Sequence, residues 1–156
     1  MGLAVVKVGD LWGYVNKTGN IVIRPQFDDA FDFSEDLAVV KINNKFGYIN
    51  KDGNIVIQAR FDDVSRFLEG LAVVKISDKW GYIDKNGSIV IQPQFDSAFI
   101  FSEGLAPVKI SNKWGYINKT GNIVIQPQFD GVGGFNEGLA WVKVGDKRGY
   151  IRNPLK

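Results

Sequence analysis

The sequence predicts an all-β protein built as a tandem array of stacked repeats, and two observations lead to that prediction. The first is a step of 34 residues: Trp80 and Trp114 are each followed by Gly-Tyr-Ile, and Phe46 and Trp12 occupy the same position in earlier units. The second is that β-rich runs alternate with turn residues inside each step. We expect an open, superhelical array, with a closed propeller-like ring as the alternative.

The repeat makes residues 1–156 a single domain of four full units and a partial fifth. Each unit opens on a leucine and carries a glycine-tyrosine pair in its second run. The units are expected at 3–36, 37–70, 71–104, 105–138 and 139–156.

Each unit is predicted to be a three-stranded antiparallel meander, as the third unit illustrates. Its β-rich runs are residues 71–76, 80–83 and 88–92. The second turn contains Asn86-Gly87, a hairpin signal because both residue types tolerate a positive φ.

A connector is expected to follow the third run. Pro93 should weaken the strand, since proline lacks a donor for the ladder. Residues 95–104 are then expected to form a short aromatic connector with a single helical turn.

Apolar residues lie on both faces of the runs. Trp80 and Tyr82 point to one face of the second run while Ile83 points to the other. A lone sheet with one wet face would alternate apolar with polar residues. Each unit is therefore expected to pack between its neighbours, with Gly81 leaving room for a ring or a backbone to come close.

The two ends of the array differ in sequence. Arg148 and Arg152 give the last unit polar residues that suit a cap, because terminal repeats must stay soluble. The first unit keeps Trp12 and Tyr14 unaltered. We therefore expect the N-terminal end to be open, and available for self-association.

Composition excludes several kinds of chemistry. The chain has no histidine and no cysteine, so it lacks a Ser-His-Asp triad, a thiol nucleophile and the usual zinc ligands. Its net charge of +2 has interleaved signs, so no basic stripe for nucleic acid is present. No run is long enough to span a membrane. No signal peptide is recognisable, which slightly favours the cytoplasm.

The polar motifs are interpreted as structural. Two series of acidic residues recur once in each unit, and both are expected to cap turns or pair with lysines. One series follows a phenylalanine (Asp28, Asp62, Asp96 and Asp130), and the other precedes the next unit (Glu35, Glu69, Glu103 and Glu137). The Asn16-Lys17-Thr18 glycosylation pattern coincides with a hairpin turn. Residues 131–134 are glycine-rich, but no Gly-Lys-Ser/Thr follows. No catalytic residue, metal site or cofactor is predicted.

Trp141 is the one aromatic residue that the repeat does not require. The same position holds Val5, Val39, Val73 and Pro107 in the other units. A large ring there either covers the last seam as a cap or stays exposed as a contact, and the sequence leaves both open.

The repeat resembles a known family. Lys-Trp-Gly-Tyr-Ile at 79–83 and 113–117, with Gly-Ser-Ile-Val-Ile-Gln-Pro-Gln-Phe-Asp at 87–96, is similar to the WG (KWG) repeats of bacterial proteins. Two units depart from the family pattern at the tryptophan position, where the second unit has Phe46 and the fifth has Arg148. The resemblance implies a β-repeat architecture and an interaction role, and it supplies no catalytic residue.

These observations predict a non-catalytic scaffold for protein–protein interaction. The alternative is a lectin-type carbohydrate-binding module, because aromatic planes stack on sugars. The expected binding surface is Trp141, Trp12 and Tyr14, and the alternative for the tryptophans and tyrosines that recur at fixed intervals is packing between units. The partner is expected to be a protein, a second copy or a glycan.

Overall fold

The computed structural model describes residues 2–156, which form eighteen strands and no helix. The strands of the first two sheets are β1 (Ala4–Val8), β2 (Leu11–Val15), β3 (Ile21–Phe27), β4 (Asp29–Ser34), β5 (Leu37–Ile42), β6 (Lys45–Ile49) and β7 (Ile55–Phe61). The next two sheets contain β8 (Asp63–Val64), β9 (Ala72–Ile76), β10 (Lys79–Ile83), β11 (Ile89–Phe95), β12 (Ser97–Ala98), β13 (Ala106–Ile110), β14 (Lys113–Ile117) and β15 (Ile123–Phe129). The last sheet contains β16 (Gly131–Val132), β17 (Leu139–Val144) and β18 (Lys147–Arg152).

The strands form five antiparallel sheets, none of which closes into a barrel. The first sheet has the order β1-β2-β3, the second β4-β5-β6-β7, and the last β16-β17-β18. The predicted antiparallel meander is confirmed, but the three internal sheets have four strands each where three were expected. The predicted helical turn in the connector is wrong: its start is a strand, which pairs with the first long strand of the next unit. A short polar-aromatic segment gives no local sign of a pairing whose partner lies in another unit.

The strand after the second turn also runs further than predicted. Strand β11 continues through Pro93 to Phe95. It is the outermost strand of its sheet, and Pro93 lies at a register shift in its ladder with β10, two settings in which a sheet tolerates proline.

Glycine in the second long strand lets this outer strand come close. A Cβ on Gly81 would lie 2.5 Å from the carbonyl oxygen of Ile91 and 2.7 Å from the nitrogen of Pro93. The contact is with the backbone of the same sheet, where the ladder shifts register beside Tyr82.

Two kinds of hairpin connect the strands. Ser77 and Asp78 both have positive φ, as a two-residue type I′ turn requires. The following hairpin has a three-residue loop in which only Gly87 has positive φ, while Asn86 does not. That geometry explains why threonine or aspartate can replace Asn86 in the other units.

The sheets stack face to face, and each hydrophobic cluster joins two neighbouring sheets. One cluster packs Val39, Tyr48 and Ile57 of the second sheet against Val74 and Ile83 of the third. We call such a junction a seam. Because every internal sheet contributes to two seams, both of its faces are apolar, as the sequence predicts.

The array is open in residues 2–156. Strand β1 pairs only with β2, and β18 pairs only with β17. The first sheet therefore lacks the short strand that begins the internal sheets, and the last lacks their outer strand. Residues 2–156 contain no helix that could span a membrane.

Candidate functional site

A tyrosine lies at the centre of each seam. Tyr14 is fully buried and donates a hydrogen bond of 2.7 Å to the carbonyl oxygen of Phe31 in the next sheet. Its ring packs edge-on against Phe33 at 5.1 Å. Burial raises the pKa of the Tyr14 hydroxyl well above its usual range. The structure thus places Tyr14, predicted as a surface contact, inside the first seam, where its ring is not accessible.

The tryptophan ladder is partly covered. Trp12 is half-buried, and the Lys7 ammonium lies 5.7 Å from its ring centroid. Trp114 is buried and stacks on Phe99 with a centroid separation of 4.8 Å. The indole planes are therefore already occupied by a cation or by another ring, to different degrees.

Trp141 fills a gap that the repeat leaves at the last sheet. Where the other connectors carry Phe31, Ser65 or Phe99, this one has Gly133. A Cβ on Gly133 would lie 2.3 Å from the indole nitrogen of Trp141, so the ring lies directly over the glycine. The Arg148 guanidinium lies 5.4 Å from the indole centroid. Trp141 remains 38% exposed and is therefore both a cover and an accessible ring.

The glutamates form a ladder along the array. The Glu35 carboxylate accepts hydrogen bonds from the N–H groups of Glu69 (2.7 Å) and Gly70 (2.9 Å). Glu69 does the same for Glu103 (2.6 Å) and Gly104 (3.0 Å). Burial disfavours the Glu35 carboxylate, but these N–H groups and Lys85 outweigh it and lower its pKa. These acids hold turns together, in agreement with the structural interpretation.

The aspartates after each phenylalanine join the same framework. The Asp96 carboxylate binds the Lys79 ammonium of the preceding sheet and accepts a hydrogen bond of 3.3 Å from the Ser111 N–H of the next. The lysine, followed by the backbone donor, lowers the pKa of Asp96. Asp62 and Asp130 have equivalent pairs with Lys45 and Lys113.

The polar loop motifs are also occupied internally. The Asn16 side-chain oxygen accepts hydrogen bonds from the N–H groups of Thr18 and Asn20, both at 3.0 Å. It thereby closes its own hairpin. Within residues 2–156, no group of three or more acidic, histidine or cysteine side chains is arranged to bind a metal ion.

A groove of about 500 Å³ lies where the second and third sheets meet. Phe31, Phe46 and Val39 form its apolar wall, with Asp32 and Arg66 at the rim. The Phe31 and Phe46 rings are 6.5 Å apart and tilted. Two units further along the chain, the equivalent rings of Phe99 and Trp114 are stacked, with a centroid separation of 4.8 Å. It can accept an apolar group with a charge beside it.

Exposed apolar pairs recur on the outer strands, and the sequence analysis missed them. They come from the Ile-Val-Ile run, whose last isoleucine is buried in the first three units while the first two residues remain between 40% and 53% exposed. In the fourth unit only the first isoleucine, Ile123, is exposed to this degree. We call this surface the outer row: Ile21, Val22, Ile55, Val56, Ile89, Val90 and Ile123. The signal was present in the sequence, but these residues could be placed only once their strand was known to be the edge of each sheet.

Comparisons with solved structures show distant likenesses. The crystal structure of the computationally designed Ika4 protein has a TM-score of 0.50 and 10% identity, covering 77% of this chain and 87% of that one. A protein of unknown function from Bacteroides caccae has a TM-score of 0.41 and 16% identity, covering 90% and 64%. A plant lectin with two metal binding sites from Cicer arietinum has a TM-score of 0.35 and 14% identity, covering 83% and 88%. At these identities the likeness concerns the fold alone.

The repeat itself is matched directly. No curated protein has a significantly similar sequence. The family model described as "WG containing repeat" matches residues 12–46, 46–80, 80–114 and 114–147. Together these matches cover most of the chain, and each spans one step of the repeat and begins at the tryptophan position. The chain therefore belongs to the WG containing repeat family.

Proposed function

We propose that the chain is a non-catalytic scaffold that binds other proteins, and the outer row is the observation that supports this most directly. Each of the first three sheets presents an exposed Ile-Val pair on its edge strand. Exposed apolar side chains scattered singly are ordinary, but a regular row on edge strands is a liability unless something covers it. A partner that contacts several sheets would gain from each weak contact.

The rigidity of the array supports the same proposal. The glutamate ladder and the tyrosine hydrogen bonds each connect one sheet to the next, so the spacing of the row is fixed by many contacts. A pre-organised surface loses little freedom on binding. The recurring carboxylates are used in turns and ion pairs, which favours a binding role over catalysis.

The proposal is tested with two variants that carry the same change in net charge, one within the outer row and one outside it. The row variant replaces Val22, Val56 and Val90 with lysine. The control variant replaces Gln58, Gln92 and Gln126 with lysine; these are exposed polar positions on the same kind of strand. Both add three positive charges. Circular dichroism and thermal unfolding establish that each variant is folded.

Partners are captured from bacterial extracts, identified by mass spectrometry and re-measured as purified proteins by titration. We expect a saturable partner that the control retains and the row variant loses by at least tenfold in affinity. Equal binding by both variants would remove the row from the proposal. No saturable protein partner for the wild type would overturn the scaffold proposal.

Carbohydrate binding is the second candidate, and the exposure of Trp141 is the observation that favours it. Against it, Lys41, Lys75 and Lys109 each lie within about 6 Å of the ring at the tryptophan position, so those planes are less available to a sugar. Titration with a polysaccharide panel, followed by tryptophan fluorescence, distinguishes the two. A saturable shift that Trp141→Ala abolishes would favour the lectin function.

A further inference from the structure

The first and last sheets each have one face without a neighbouring sheet in residues 2–156. Alternate residues of a strand share a face, so the register of β1 and β2 places one set of apolar residues on the outer side of the first sheet. We call this the leading face: Ala4, Val6, Val8, Leu11 and Val15. The register of β17 and β18 similarly defines the trailing face of the last sheet. Its apolar residues are Leu139, Trp141 and Tyr150.

The trailing face is one that the repeat normally buries. Tyr150 is 74% exposed, whereas its four equivalents, Tyr14, Tyr48, Tyr82 and Tyr116, are all fully buried. Leu139 is likewise exposed, while the leucines that open the three preceding units are buried. Arg148 replaces the aromatic residue of the tryptophan position, but Tyr150 is retained and is not replaced by a charged or small polar residue. A cap made only to face water would not keep it.

The leading face is more apolar than the equivalent positions of the other units. Leu11 stands where Lys45, Lys79 and Lys113 stand in the next units, and those lysines form ion pairs with aspartates. Val8, its cross-strand neighbour, is 52% exposed. Leucine at this position, in place of the lysine of the other units, increases the exposed apolar area of the leading face.

The internal seams show how two such faces fit together. In each one, a trailing-type face packs on a leading-type face: Val39 and Tyr48 against Val74 and Ile83 in one case, Val73 and Tyr82 against Val108 and Ile117 in another. The two free faces therefore carry the same types of residue as the two sides of a seam.

We infer that the 156-residue chain associates head to tail, the trailing face of one copy packing on the leading face of a second copy to form a further seam between molecules. The interface is heterologous, so each copy keeps one free face and association has no fixed end-point unless the rotation closes a ring. The trailing sheet lacks an outer strand, so this seam is smaller than the internal ones. Association is expected to be weak, in the high-micromolar range.

This inference goes beyond the scaffold proposal and uses other residues. The outer row lies on β3, β7, β11 and β15, whereas the seam would use β1, β2, β17 and β18. The row variant described above should associate as the wild type does. Loss of partner binding and loss of self-association are therefore separable results.

The test uses two variants of the whole chain. In the head variant, Val8→Glu and Leu11→Lys place an opposite-charge pair across the first hairpin and restore the lysine of the other units. In the tail variant, Tyr150→Lys changes one exposed side chain. Tyr150→Phe is the control, since it keeps the ring. Sedimentation velocity over a range of concentrations gives the size of each species, alone and in equimolar mixture.

We expect the wild type and Tyr150→Phe to grow in mean mass with concentration, and each variant alone to remain monomeric. Mixing the two variants should restore a dimer and nothing larger, because the head variant has an intact trailing face and the tail variant an intact leading face. A wild type that stays monomeric at millimolar concentration would overturn the inference. So would a symmetric dimer, recognised because either variant alone would still associate or the mixture would not rescue it.

Discussion

The carboxylate of Glu35 accepts the backbone N–H of Glu69, the residue one full repeat further along the chain, at 2.7 Å. Both residues lie in two-residue turns with positive φ, an uncommon conformation for glutamate. The turns of Glu69 and Glu103 therefore have their N–H groups bound by the previous glutamate, and each supplies a carboxylate to the next turn. A local feature that looks unfavourable in one unit is stabilised by its neighbour.

Removal of one carboxylate within this ladder should destabilise the fold. Glu69→Ala leaves the N–H groups of Glu103 and Gly104 without their acceptor, and we expect a loss of about 1–3 kcal/mol in the free energy of unfolding. Glu137→Ala is the matched control, because Glu137 has nearly the same φ but is exposed at the end of the ladder. Urea unfolding of both variants measures the difference. Equal losses would mean that turn strain, and not the ladder, determines the cost.

Stability should depend on pH through the same acids. The pKa values of Glu35, Asp62, Asp96 and Asp130 are lowered from ordinary values of 4.5 and 3.8. A lowered pKa means that the folded state binds protons less readily than the unfolded state, so the added stability is present above these values and lost as the pH falls through the folded ones. We expect the free energy of unfolding to be nearly flat from pH 7 to about 5 and to fall at lower pH.

The check is a series of urea titrations between neutral and acidic pH. Replacement of Asp62, Asp96 and Asp130 by asparagine should make the acidic part of the curve shallower. A wild-type curve that rises as the pH falls would contradict the assignment.

The two kinds of strand glycine give a third prediction. Gly81→Ala places a Cβ 2.5 Å from the Ile91 carbonyl oxygen, so the outer strand must move, and we expect a loss of about 2 kcal/mol or more. Gly149 occupies the equivalent position in the last sheet, but no atom lies within 4 Å of its added Cβ. Gly149→Ala should therefore be neutral or stabilising by about 0.5 kcal/mol, because alanine restricts the unfolded chain. Thermal unfolding compares them, and similar losses would exclude close packing of the outer strand as the cause.

The repeat, its strands and its open ends could be predicted from the sequence because they depend on local patterns at a fixed step. The connector strand could not, since residues 97–98 become a strand only by pairing with Lys109 and Val108 of the next unit. Strand continuation past Pro93 depends on its position at a sheet edge, which the sequence does not reveal. For the candidate site, the exposure of Trp141 was one of two predicted outcomes. Tyr14 was assigned to the binding surface, with packing between units as the alternative, and it packs between units because its side of β2 faces the second sheet.

The last prediction is an energetic coupling between Gly133 and Trp141. Both residues differ from their counterparts in the other units, the first in the connector and the second in the first long strand of the sheet. Gly133→Ala introduces a Cβ against the indole, so the ring must shift, and it should destabilise the protein by about 1 kcal/mol. Trp141→Val restores the side chain of most other units and removes the obstacle. In the Trp141→Val background, the same Gly133→Ala change should be neutral, which corresponds to a coupling of about 1 kcal/mol in a double-mutant cycle. Additive effects in urea unfolding would mean that the indole does not depend on the glycine, and that Trp141 lies at the surface for another reason.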